Sequence, residues 1–217
     1  MTTRLWWVRP ETFQATPAAL ALLSDDERSR HQRYIPAAKR HEYLVTRVLV
    51  RSVLGQALGI APQILKFVSN EWGCPALSPD LNLPPIHFNI SHTDGLVVCI
   101  VSTKQEVGVD TELFSRAPNL LNLAPRVFAP RELRDLAALP SSDQASRAVI
   151  LWTLKESYIK ARGMGLALPL DGFAFRFESD RVHIDVEPAL QDDSARWQFQ
   201  WQRLGSHCIS TAARLVS

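Results

Sequence analysis

The order in which strand-like and helix-like segments follow one another constrains this chain more than any single motif. The apolar run RLWWV (4–8) predicts a strand, and PAALALLSDDERSRHQRY (17–34) predicts a helix. After Pro36, the stretch AAKRHEYLVTRVLVRSVLGQALG has apolar residues at 44, 45, 48, 49, 53 and 54 and closes on Gly59, the pattern of a helix of several turns. Strands are expected at ILKFVS (64–69), IHFNIS (86–91) and LVVCIVS (96–102), the last two joined by the hairpin turn signal HTDG. The order then starts again. A strand at VGVDTEL (107–113) precedes short helices at NLLNLAPRVF and PRELRDLAAL and a long helix from about Ser142 to Arg162. Four half-buried strands follow, at FAFRF (173–177), VHIDV (182–186), WQFQWQR (197–203) and CISTAA (208–213). The element order repeats without visible residue identity. An α+β protein of two similar lobes is expected, 1–104 and 105–217, each a small, mainly antiparallel sheet packed with helices, with the active site in the cleft between them.

Composition narrows the function classes. Lys plus Arg is 24 against Asp plus Glu of 22, so a net charge of +2 supplies no general field to gather nucleic acid or anionic lipid. The three cysteines, Cys74, Cys99 and Cys208, lack the spacing of a zinc site or a disulfide framework and suit a reducing compartment. The N-terminal stretch lacks the apolar core of a signal peptide, and no window reaches the roughly 18 apolar residues of a membrane span. A soluble cytoplasmic protein, with no nucleic-acid or membrane partner, is the expectation.

Within VGVDTEL, Asp110 and Glu112 stand two residues apart, so on a strand both carboxylates point to one face. Like charges so placed raise each other's pKa unless something positive lies beside them. Either this is a solvated strand end or it holds a hard divalent cation. Mg²⁺ takes oxygen ligands and is commonly held by one or two carboxylates, with waters and phosphate oxygens completing the shell. In LWTLKESYIKARGMGLALPL (151–170), Glu156 and Lys160 share a helix face at i and i+4, with Trp152 one turn earlier. That spacing also describes an ordinary surface ion pair, but this helix is apolar over much of its circumference, so its polar residues are candidates for an inner cleft. Glu156 would complete an oxygen set with Asp110 and Glu112; no His-Cys cluster argues for zinc. Ser91 and His92 close the strand ending in NISH and could donate to a phosphate, or simply form a turn. Arg40, Arg47 and Arg51 share one face of the first long helix, as a solvated stripe or as a phosphate clamp. No glycine-rich G-x-x-x-x-G-K-[ST] motif is present.

In this order, FNISH (88–92), GVDTE (108–112) and LWTLKESYIKARGMGLALPL (151–170) resemble the three signature blocks of the 4′-phosphopantetheinyl transferases. The likeness is to the long, surfactin-synthetase-activating type rather than the short trimeric holo-acyl-carrier-protein synthases. It covers roughly residues 24 to 177, with RYIPAAKRHEYLVTRVLVRSVLG and NEWGCPALS in support. The resemblance implies a pseudo-twofold monomer that moves the phosphopantetheine arm of coenzyme A, its cosubstrate, onto a carrier-protein serine and releases adenosine 3′,5′-bisphosphate.

It also implies Mg²⁺, or Mn²⁺ in its place, at Asp110, Glu112 and Glu156. The catalytic residues would be Asp110, Glu156 as acceptor of the serine proton, directly or through water, and Lys160 at the departing phosphate. Coenzyme A contacts would come from Ser91, His92, Lys160, Arg47, Arg30 and the turn Gly73, Cys74 and Pro75. Many relatives carry Lys where this chain has Cys74, and some carry Lys where it has Glu27. Partners would be apo acyl, peptidyl or aryl carrier proteins docking near residues 113–136, where Arg126, Arg131 and Arg134 lie among apolar residues. A metal-dependent phosphodiesterase or nuclease, or a non-catalytic module binding coenzyme A or a carrier, are the alternatives. Near-neutral charge and an intact set of acidic residues and Lys160 weigh against both.

Overall fold

The computed structural model describes residues 3–179 and 181–215, so the outermost residues of the two expected lobes, 1–2 and 216–217, lie outside the described residues. The first half runs β1 (Arg4–Val8), α1 (Pro17–Ala21), α2 (Asp25–Arg33), α3 (Ala37–Leu58), β2 (Phe67–Ser69), β3 (Pro75–Leu77), β4 (His87–Thr93) and β5 (Leu96–Ser102). The second runs β6 (Val107–Leu113), α4 (Ala117–Val127), α5 (Pro130–Ala137), α6 (Ser141–Arg162), β7 (Phe173–Glu178), β8 (Arg181–Val186), β9 (Trp197–Leu204) and β10 (His207–Arg214).

The fold is α+β in two lobes, and the lobes share a topology. One sheet has the strand order β1-β5-β4 and the other β6-β10-β9-β8-β7, so each places its first strand against its last and its last against the one before. β2 and β3 form a separate ribbon. Both long helices, α3 and α6, contain 22 residues and stop at a glycine in the left-handed region, Gly59 and Gly163. All of β5 is buried because both its faces are covered. Cys99 and Val101 face the core under α3, while Leu96, Val98 and Ile100 meet Val107, Val109 and Ile209 of the second sheet.

Two expectations are corrected, and one strand was not expected. The single helix expected over 17–34 is two, because Ser24 interrupts it with a reciprocal cap: its hydroxyl accepts from Glu27 N, and its own N–H donates to the Glu27 carboxylate. The strand expected at 64–69 begins only at Phe67, since Pro62 starts a short 3-10 turn through Ile64. Strand β3, three residues beginning with a proline, carries no alternation from which to read it. Among the described residues, no helix is long and apolar enough to cross a membrane.

Each lobe is built around one buried ion pair at matching places. Arg51 and Lys155 occupy the same position counted from the start of α3 and α6. The Arg51 guanidinium donates to Glu27 (2.7 Å) and to the carbonyls of Pro62 (2.8 Å) and Leu65 (3.0 Å). The Lys155 ammonium meets Glu132 at 2.8 Å and the carbonyls of Leu170 and Phe173 at 2.7 Å each. In both lobes one cation therefore ties the shorter helix before it to the chain that follows its own helix. Burial pushes the Glu132 carboxyl up and the Lys155 ammonium down, each opposed by the other's charge. Removing one member leaves a charge in a dry interior, a loss of about 3–5 kcal/mol. Lys155→Met is expected to lower the urea-unfolding free energy at pH 7 by about that amount; a loss under ~1 kcal/mol would show that Glu132 finds another partner.

Candidate active site

β4 and β6 are the facing outer strands of the two sheets, and side chains rather than a backbone ladder join them. Asn89 Oδ1 accepts from Val109 N at 3.1 Å. Ser91 Oγ donates to Asp110 Oδ1 at 2.7 Å and accepts from Thr111 N at 3.4 Å. Thr93 Oγ1 donates to Glu112 Oε1 at 2.9 Å. Of these three alternate residues of β4, Ser91 and Thr93 hold the two carboxylates of β6, and Asn89 holds the strand's backbone.

Helix α6 approaches from the other side, and it comes close because Gly108 has no side chain: a Cβ there would lie 2.0 Å from the Ser157 carbonyl oxygen. Lys160, one turn beyond Glu156, reaches Asp110 Oδ1 at 2.6 Å and Ser91 Oγ at 3.0 Å. The positive groups beside the paired acids therefore belong to the chain itself: the Lys160 ammonium at Asp110 and, at 3.8 Å, Arg116 Nε at Glu112. Asp110, Glu112, Glu156 and Lys160 line one cavity of about 270 Å³ together with Ser91, His92 and Trp152.

Burial pushes the Asp110 carboxyl above the usual range, Lys160 and Ser91 oppose that rise, and the Glu112 charge adds to it. Glu156 is raised as well, first by burial and then by the Asp110 charge, with Lys160 opposing. Among the described residues, no group of three or more His, Cys, Asp and Glu side chains is placed so as to hold a metal ion. Such a group is not required for Mg²⁺, which keeps several waters and substrate oxygens. Asp110, Glu112 and Glu156 nevertheless line one cavity with oxygen donors alone, the ligand type that a hard divalent cation takes.

Lys160 also lines a second cavity, of about 170 Å³, with Ala161 and Gly163 from α6, Cys74, Pro75 and Ala76 from the ribbon, and His87 and Phe88 from β4. Burial raises the Cys74 thiol.

Two family models divide the chain between them. Residues 6–105 match "4′-phosphopantetheinyl transferase, N-terminal" and residues 106–212 match "4′-phosphopantetheinyl transferase superfamily". The 4′-phosphopantetheinyl transferase Sfp of Bacillus subtilis (strain 168) is 35% identical over 179 residues, which cover 82% of this chain and 77% of Sfp. HetI of Nostoc sp. is 31% identical over 193 residues, covering 89% of this chain and 78% of HetI. The chain belongs to the 4′-phosphopantetheinyl transferase superfamily. Among solved structures, a holo-(acyl-carrier-protein) synthase from Bacillus anthracis overlaps 52% of this chain and 96% of its own, at 15% identity and a TM-score of 0.44.

In this member of the 4′-phosphopantetheinyl transferase superfamily, the residues singled out in the sequence fall into groups. Asp110, Glu112, Glu156, Lys160, Ser91 and His92 come together in the first cavity, and Cys74 and Pro75 lie in the second, with Gly73 (φ 79°) in the turn before them. Arg47 is not among the residues lining either. Its Nε donates to Glu27 at 2.6 Å, beside Arg51, and its guanidinium lies 4.6 Å from the Phe67 ring centroid. Arg51 is buried in the same cluster, and Arg40 donates to the Tyr34 carbonyl, so each arginine of this face has a partner within the first lobe. Arg30 lies on α2, in a separate open recess with Asp26, Ser29, Arg33 and Tyr34.

Asn89, Thr93 and Glu42 were missed. The polar alternation in N-x-S-x-T at 89, 91 and 93 was a readable signal of a strand bonded through its side chains. Glu42, which receives His92 Nδ1 at 3.2 Å across the lobe, had none.

Because Glu156 has a folded pKa above its unfolded value, its stabilising contribution is complete below the ordinary glutamate range and is lost as pH rises through the raised value. Glu156→Gln is therefore expected to raise the melting temperature at pH 7 in a chelating buffer, and the gain should vanish near pH 4. A lower melting temperature at pH 7 would contradict the like-charge crowding described above.

Proposed function

We propose that the chain transfers the 4′-phosphopantetheine arm of coenzyme A to a serine of an acyl, peptidyl or aryl carrier protein, releasing adenosine 3′,5′-bisphosphate. Superfamily membership supports the reaction. The observation that carries the assignment of residues is the gathering of Asp110, Glu112, Glu156 and Lys160 around one cavity, flanked by Ser91 and His92.

In the transfer, the serine oxygen forms a bond to the phosphorus bearing the pantetheine arm, and that phosphorus loses its bond to the bridging oxygen of the pyrophosphate. The serine proton passes to Glu156, directly or through water; burial raises this carboxyl above the ordinary glutamate range, which strengthens it as a proton acceptor. The departing bisphosphate leaves with the bridging oxygen and its electron pair. Lys160 faces that oxygen with an ammonium already held in place by Asp110 and Ser91, so charge developing there meets a preorganised cation. His92 lines the cavity where the phosphates would lie and could donate to them, while Ser91, whose hydroxyl donates to Asp110, steadies the Lys160 ammonium. Asp110, Glu112 and Glu156 would hold Mg²⁺ or Mn²⁺, which, when bound, neutralises the pyrophosphate and screens the three carboxylates from one another.

The carrier would dock on residues 113–136, beside the cavity. Leu123 is exposed there, and Arg126 and Arg134 are exposed without an ion pair among the described residues. Arg131 is engaged with Asp185 at 2.9 Å. An acidic helix suits such a surface. The chain supplies both walls of the cleft, which supports action as a monomer.

Incubating the protein with an apo carrier, coenzyme A and Mg²⁺ should add one phosphopantetheine to the carrier serine, detected by mass spectrometry and lost on chelation. No addition across a panel of acyl, peptidyl and aryl carriers would reject the reading. Lys160→Ala should lower kcat about 10²- to 10³-fold, with coenzyme A affinity changed much less. Unaltered turnover would remove Lys160 from the chemistry.

A further inference from the structure

The second cavity is a seam between the lobes, and one side chain spans its rim. Asn70 opens the turn between β2 and β3. Its Oδ1 accepts from Trp72 N at 3.0 Å and from Cys74 N at 2.9 Å, so the amide oxygen templates the loop that carries Cys74 and Pro75 into the cavity. The amide nitrogen faces outward and donates to the carbonyl of Gly163 at 2.9 Å, in the other lobe. Gly163 caps α6, and its own N–H bonds back to the Lys160 carbonyl at 3.1 Å. Trp72 lies beside Gly165, where a Cβ would be 3.7 Å from the tryptophan Cβ. One amide thus joins the ribbon wall to the end of the helix that carries Glu156 and Lys160.

We infer that Asn70 is a positioning residue that sets the width of the cleft at this end, and through it the affinity for coenzyme A. The inference rests on the transferase reading above, which places coenzyme A in this cleft. The chemistry should be insulated from it, because the Lys160 ammonium is fixed independently by Asp110 and Ser91, and Asp110 and Glu112 are held by Ser91 and Thr93 from β4. Asn70 is exposed and bonds only to backbone groups of its own turn and of Gly163, so its replacement leaves both lobe cores untouched. Two substitutions isolate the outward bond. Asn70→Asp retains an oxygen for the loop and turns a second acceptor toward the Gly163 carbonyl. Asn70→Ser retains a shorter loop acceptor and cannot reach Gly163.

Both variants should raise the KM for coenzyme A by about three- to tenfold, the range carried by one lost neutral hydrogen bond. Turnover at saturating coenzyme A and the KM for the carrier should stay within about twofold, inside the scatter expected of distant sites. A general loss of structure would move all three quantities together. Calorimetric titration of coenzyme A into the proteins without carrier gives the independent readout. Weaker binding to both variants than to the unsubstituted chain is the expected result. Equal binding, or a fall in kcat with KM unchanged, overturns the role of Asn70 while leaving the transferase reading intact. Failure of the unsubstituted chain to bind coenzyme A overturns both.

Discussion

The contact between β4 and β6 is the constraint on which the rest of the molecule depends. Each strand ends a sheet, and exposed edges ordinarily invite backbone pairing. Here the gap is filled by an amide and two hydroxyls from Asn89, Ser91 and Thr93, so the facing edges meet at side-chain distance. That spacing places Asp110 within reach of Lys160 while leaving room for a cavity between strand and helix. The burial that raises the Asp110 and Glu156 carboxyls follows from the same arrangement. Gly108 completes it by letting α6 lie against the strand.

The two lobes repeat a scaffold without repeating its chemistry. Arg51 and Lys155 do the same structural work in α3 and α6, each neutralising a glutamate from the preceding helix and bonding two carbonyls of the chain that follows. Beyond them the helices diverge. Lys155 is followed by Glu156 and Lys160, and the matching positions after Arg51 are Ser52 and Gln56, both exposed. The difference follows from what lies alongside: α6 packs on β6, whose other side is covered by β4 of the first lobe. The functional face is therefore a property of the seam, set on a framework that both halves share.

Much of this was legible in the sequence because it rests on periodicity. The long helices, the β4–β5 hairpin and the strand carrying Asp110 and Glu112 follow from apolar spacing and glycine stops, and the i, i+4 relation of Glu156 to Lys160 survives in the folded chain. The arginines of α3 were not legible in the same way. A stripe of guanidinium groups reads alike whether it faces solvent, a phosphate or a buried glutamate, and the partner of Arg47 and Arg51 is Glu27, on another helix. The break at Ser24 differs: helical spacing continues on both sides of it and masks it, but Ser24-Asp25-Asp26-Glu27 is a capping-box pattern, and the reciprocal bond with Glu27 realises it. Long-range pairings such as Glu42 with His92, or Asn70 with Gly163, leave no trace in local pattern at all.

The use of side chains to close the gap at β4 and β6 has a consequence for how such a centre can change. A ladder admits only register shifts, and a shift of one residue turns every residue of a strand to its other face. A junction made from an amide and two hydroxyls can be altered one group at a time, so small adjustments in the separation of the reacting groups become accessible to single substitutions while both sheets keep their register.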